Sequence, residues 1–212
     1  MLRKLFAGAI LLVGIAGAAD QLLPELLVEP TGGGTFFTIR NVSAQPLTAF
    51  LIELVDYPGS SYALWQDDIA AEPIAPGAER RMRVANMTVG AVPGYVKMRA
   101  ALYADGTSSG IPEKVTQLVE RRRYTLQITR ELIARLEKAQ PKAALAADLK
   151  QWAESIPAPT RANRNSQVGI NQEASRALVA DIAARIESHS VEETLAALRA
   201  SEHALAASKP TL

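Results

Sequence analysis

Residues 102–110 read LYADGTSSG, in which Asp105 precedes two glycines, Gly106 and Gly110, that bracket a threonine and two serines. A phosphate-binding loop needs backbone N–H groups at a helix N-terminus and usually a lysine that reaches the phosphates. The glycine spacing here does not fit such a loop, and no Lys-Ser/Thr pair follows Gly110. A calcium loop needs several oxygen ligands at alternating positions, and Asp105 is the only carboxylate. Asp-Gly after an apolar alternation is a turn signal, because both residues tolerate positive φ. The stretch is therefore read as a turn that ends a sheet and redirects the chain, binding neither nucleotide nor cation.

Other chemistry-bearing residues are sparse. Asp67, Asp68 and Glu72 form an acidic group that could serve a hydrolase as a carboxylate pair. Adjacent residues point in different directions, so a solvated loop after Trp65 is the favoured reading. His189 and His203 are the only histidines, and neither lies in a motif. Arg121, Arg122 and Arg123 form a basic patch, read as a solvated helix face with a partner-facing patch as the alternative. No serine lies in G-x-S-x-G. There is no cysteine, which excludes disulfides, thiol catalysis and zinc-thiolate sites. Asn41-Val42-Ser43 and Asn86-Met87-Thr88 fit the short glycosylation pattern, which occurs by chance. No catalytic residue, cofactor or metal is assigned.

The elements that must position these residues fall into two textures. Before residue 111, short β-branched or alternating runs at 26–30, 35–40, 47–55, 62–65, 80–85 and 95–104 read as strands. Gly, Pro and Asn in the intervening breaks supply turn geometry. In the last run Val96, Met98, Ala100 and Leu102 are expected on one face, with Lys97 and Arg99 on the other. Met82 and Val84 likewise oppose Arg81 and Arg83. After residue 111 the period becomes helical. Pro112 suits a helix start. Val115, Leu118, Val119, Leu126, Ile133 and Leu136 form a stripe on which Arg122 intrudes. A second helix carries Leu145, Leu149, Trp152 and Ile156, and a third carries Leu178, Val179, Ile182 and Ile186. A fourth begins at a capping box of Ser190 and Glu193.

The expected fold is α+β: an N-terminal antiparallel immunoglobulin-like β-sandwich followed by a C-terminal α-helical region. Its divisions are a signal peptide at 1–19, the sandwich at 20–111, a helical extension at 112–156, a linker at 157–165 and a helical hairpin at 166–212. Arg3 and Lys4, the apolar run 5–17 and the small residues Ala18 and Ala19 have the layout of a secretory signal, cut after Ala18 or Ala19. An uncleaved anchor is the lesser alternative. No later segment is apolar enough to span a membrane. The chain carries a formal charge of +1. Loss of Arg3 and Lys4 makes it −1, which gives no electrostatic case for nucleic acid. A hydrophobic content of 48% marks a folded chain.

Three segments carry a resemblance: FTIRNVSAQPLTAFLIEL at 37–54, IAPGAERRMRV at 74–84, and MRAALYADGTSSG at 98–110 leading into VERRR at 119–123. Across roughly residues 25–125 the chain resembles uncharacterised secreted bacterial proteins with an immunoglobulin-like domain. The resemblance implies a fold and a secreted or periplasmic location, and no catalytic residues. The leading expectation is an exported, non-enzymatic binding or structural module of the cell envelope. The alternatives are the hydrolase above and a periplasmic chaperone-like protein that works through a sandwich edge strand. For the last two helices two arrangements stay open. They contact another envelope protein or a second copy through Leu178, Ile182, Leu195 and Leu198, or they fold back on Trp152 and close a bundle within one chain.

Overall fold

The structure is a computed structural model that describes residues 22–32, 34–55, 62–85, 93–138, 141–164 and 166–211. The expected signal segment and the pattern at Asn86 lie outside the described residues. Among the described residues seven antiparallel strands form two sheets, and four α-helices follow them. Strands β1 (Glu25–Thr31), β2 (Gly34–Arg40) and β5 (Glu79–Ala85) form one sheet in the order β1-β2-β5. Strands β3 (Leu47–Leu54), β4 (Tyr62–Asp67), β6 (Val96–Tyr103) and β7 (Ser108–Gly110) form the other, in the order β4-β3-β6-β7. The sheets face each other across a core of Val28, Phe37 and Ile39 from the first and Phe50, Ile52, Val96, Ala101 and Tyr103 from the second.

The two sheets differ in what covers their outer faces, and the sequence carries that difference. In β5, Met82 and Val84 pack toward the core while Arg81 and Arg83 are exposed, the alternation of a sheet with one wet face. In β3, Leu47 to Ile52 are all fully buried. Phe50 and Ile52 face the opposite sheet, while Ala49 and Leu51 pack with Ala100, Leu102 and Leu118 under the first helix. A strand covered on both faces has no position for a polar residue without a partner, hence its continuous apolar run.

Strand β6 departs from the simple alternation. Its pairing with β3 runs Ile52 to Met98 and then Leu51 to Ala100, so Arg99 is an extra residue on the β6 side. A bulge of one residue moves every later side chain to the other face. Val96 and Met98 therefore face the inter-sheet core, but Ala100 and Leu102 face the helix, and Ala101 and Tyr103 take over the core side. The single-face assignment expected for Val96 through Leu102 is thereby corrected.

LYADGTSSG forms a tight turn that does not end the sheet. The Asp105 carboxylate accepts from Thr107 N at 2.9 Å and from the Thr107 hydroxyl at 2.6 Å, and Gly106 takes φ +94°. Ser108 to Gly110 then return along β6 as β7. At Gly110, φ is +104° and a Cβ would lie 2.2 Å from the Arg99 carbonyl oxygen, so the bulge and this glycine need each other. Asn41, which fits the short glycosylation pattern, is fully buried. Its amide donates to the carbonyls of Gln45 and Ile74 at 2.8 Å each, and its oxygen accepts from Ser43.

Helix α1 (Pro112–Leu136) belongs to two cores. Its first half, with Val115, Leu118 and Val119, covers the four-stranded sheet. Its second half, with Ile128, Leu132 and Leu136, joins α2 (Lys142–Ser155), α3 (Gln167–Ser188) and α4 (Val191–Ala206) in a separate core. Leu145, Leu149, Val179, Ile182, Ile186 and Leu198 complete that core, with Trp152, Leu178 and Leu195 packed against it. Of the two arrangements left open for the last helices, the structure has the fold-back. Helix α3 packs chiefly on α2, and α4 on α1. The Ser190–Glu193 capping box is formed, with bonds of 3.1 and 3.2 Å. Among the described residues no helix is long and apolar enough to cross a membrane.

Candidate functional site

The three arginines at 121–123 meet three different fates, because consecutive helical residues are turned by about 100° from one another. Arg123 points outward and pairs with Glu120, one turn away. Arg122 points at the sheet and is fully buried. Arg121, partly buried, faces a cavity between the sheet and the helices. The expectation of one solvated face therefore holds for Arg123 alone.

Arg122 donates from all three of its guanidinium nitrogens. Nε and Nη2 grip the two oxygens of Asp67 at 2.7 and 3.0 Å, Nη1 donates to the Lys209 carbonyl at 3.0 Å, and Nη2 also reaches the Thr48 hydroxyl at 3.2 Å. Thr48 in turn donates to the Leu102 carbonyl at 3.0 Å. One side chain thus ties α1 to β3, β4 and the segment after α4, in the bidentate geometry that makes arginine–carboxylate pairs strong. That segment crosses the Asp105–Gly106 turn, with Lys209 against Gly106.

The acidic group is not a solvated loop, and its members diverge. Asp67 ends β4 and belongs to Arg122. Asp68 is buried; its Oδ1 accepts from the Gln66 amide at 2.6 Å, and its Oδ2 lies 2.5 Å from Arg80 Nη1 as an ion pair without hydrogen-bond alignment. Burial pushes the Asp68 carboxyl above the usual range, against the Gln66 bond and the Arg80 charge and with the help of Asp67. Glu72 is exposed, and its backbone carbonyl accepts from Arg80. His189 and His203 stand near opposite ends of α4, and His189 is bonded to the Ser188 hydroxyl.

The cavity has a volume of about 410 Å³, within the ~300–1,000 Å³ typical of small-molecule sites. Trp65 and Asp67 of β4 form one wall, Arg121, Thr125 and Thr129 of α1 a second, and α3 and α4 close it with Leu178, Ile182, Leu198 and Leu205. Three of the four residues expected to meet a partner, Leu178, Ile182 and Leu198, line this cavity; Leu195 packs in the bundle.

Compared with known proteins, the chain matches no family model, no curated protein and no solved structure. The cavity's chemistry must therefore be read from its own walls.

Among the described residues the Arg121 guanidinium has no hydrogen bond and no ion pair. Burial pulls its guanidinium below the usual arginine range, against the nearby charges of Asp67 and Glu173. Asp67 is already spent on Arg122, and Glu173 is exposed. A partly desolvated cation with an empty donor fork is a costly feature that an anion would relieve. Sequence reasoning placed Arg121 only in a basic patch and missed the Arg122–Asp67 pair. The one available signal was an arginine on an apolar stripe, which demands a buried acceptor somewhere in the chain.

Proposed function

We propose that the protein is an exported binding module of the bacterial cell envelope that holds a small ligand without transforming it. The observation that carries the reading is the unpartnered Arg121 guanidinium in a cavity of about 410 Å³ that α3 and α4 line with Leu178, Ile182, Leu198 and Leu205. The basic–apolar–small layout of residues 1–19 supports export. The order β1-β2-β5 against β4-β3-β6-β7 supports an immunoglobulin-like sandwich, as does the resemblance across residues 25–125. Binding is favoured over hydrolysis because Asp67 and Asp68 are each occupied by a separate arginine.

Native mass spectrometry of the protein extracted from its host envelope tests this. The expected result is a chain lacking residues 1–18 or 1–19, carrying a small molecule that is lost when Arg121 is replaced. A chain that keeps those residues and carries nothing would sink the proposal.

A further inference from the structure

We infer that the cavity takes a monocarboxylic acid with an aliphatic tail, an inference that rests on reading this cavity as the binding site. The argument is a census of donors. Thr125 and Thr129 line the cavity, but their hydroxyls already donate to the carbonyls of Arg121 and Thr125 at 2.9 and 2.8 Å. The Gln66 amide is committed to Asp68. The side-chain donors left without a hydrogen bond among the described residues are the Arg121 guanidinium and the Ser201 hydroxyl, together with the half-buried Trp65 indole and the exposed Arg185. A planar fork with one hydroxyl matches a carboxylate, whose two oxygens take two parallel N–H bonds.

Charge selects the same class. Asp181 and Arg185, of opposite charge, lie one turn apart on α3 and are both exposed. Asp67 is neutralised by Arg122. With Asp67 matched by Arg122 and the charges of Asp181 and Arg185 opposite, the lining is left with one net positive charge, on the half-buried Arg121, which suits a single negative charge. A phosphate monoester, at about −1.5 to −2 at neutral pH, would bring more charge than the wall can meet and would sit near Asp67. No lysine lines the cavity. Leu178, Ile182, Leu198 and Leu205 offer the tail an apolar bed.

The test is calorimetry on the full chain with four probes sharing a ten-carbon tail: decanoate, decanol, decyl phosphate and decyltrimethylammonium, all below micelle formation. Decanoate is expected to bind one per chain, at least tenfold tighter than decanol and tighter than decyl phosphate, with no binding of the ammonium. Shortening the acid should weaken it about fourfold per methylene. Arg121→Gln should weaken decanoate roughly ten- to hundredfold, down to the level of decanol, and Arg121→Lys should fall between. Ser201→Leu, which fills the cavity and removes its hydroxyl, should abolish binding, and circular dichroism melting checks that each variant folds. Equal affinity for decanoate and decanol, unchanged in Arg121→Gln, overturns the carboxylate assignment and leaves the cavity a binding site for neutral molecules. Absence of binding by all four probes overturns this inference alone if host-extracted protein still carries an Arg121-dependent ligand, and the proposed function with it if it does not.

Discussion

Replacing Arg122 with methionine should be among the most damaging single changes in the chain. Methionine keeps much of the buried apolar stem, so the perturbation isolates the guanidinium. Its removal strands Asp67, whose side chain is 12% exposed and keeps one protein donor, Ile69 N at 3.2 Å. The Lys209 carbonyl loses its guanidinium donor as well. Removing one partner of a buried ion pair costs about 3–5 kcal/mol, because the other charge stays buried without compensation. For a chain of this size about 2–4 °C of melting temperature goes with each kcal/mol, so the midpoint should fall by about 6–20 °C. Urea unfolding followed by circular dichroism measures the loss directly. Asp67→Leu alone should cost a similar amount, but the pair Arg122→Met with Asp67→Leu should cost much less than the sum, with a coupling of about 2 kcal/mol or more. A single-variant loss below about 1 kcal/mol, or strict additivity in the double variant, would refute the reasoning.

Arg121→Met should leave the unliganded protein as stable or more stable, since it removes a desolvated cation with no partner; a clear fall in the melting midpoint would contradict that. Gly110→Ala should cost at least about 2 kcal/mol, from the positive φ and the collision with the Arg99 carbonyl, read by urea unfolding. Asp68 sets a pH dependence. Its folded pKa is raised, so its contribution to stability is full below the unfolded value of ~3.9 and is lost as pH rises through the folded value. The stability of the native chain minus that of Asp68→Asn should therefore shrink as pH rises from about 4, and a difference that grows would reverse the sign. Truncation before Pro157 should abolish cooperative melting of the remaining helices, because it removes Val179, Ile182, Ile186 and Leu198 from their core and Lys209 from Arg122.

Local patterns located the strands β1 to β6 and all four helices, because alternation, the helical period and the Pro112 and Ser190 starts are properties of short windows. Strand β7 was not legible: Ser108, Ser109 and Gly110 have no apolar period, and they pair only because β6 lies beside them. The bulge at Arg99 was hidden for a related reason, since an extra residue shows only against the partner strand. The acidic group was misread because its partners are distant in sequence; Arg122 meets Asp67 across 55 residues. The intrusion of Arg122 on its stripe was visible as an anomaly, and the helical period places a neighbouring arginine toward a different surface. That Arg121 faces a cavity depends on how α3 and α4 return over the sheet, and no pattern within α1 contains that information.

The reach of Arg122 also bears on the order in which this chain can assemble. Its acceptors in Thr48 and Asp67 precede it by 74 and 55 residues, while Lys209 follows it by 87. A chain emerging from its N-terminus thus presents both sheets and α1 well before the last acceptor arrives. Until then the guanidinium has no Lys209 carbonyl to bind, and the apolar face of α1 beyond Leu126 lacks the α3 and α4 residues that cover it. Contacts of such sequence separation close late. A chain extended only through α1 therefore holds the residues of both sheets while the second half of α1 still lacks its cover.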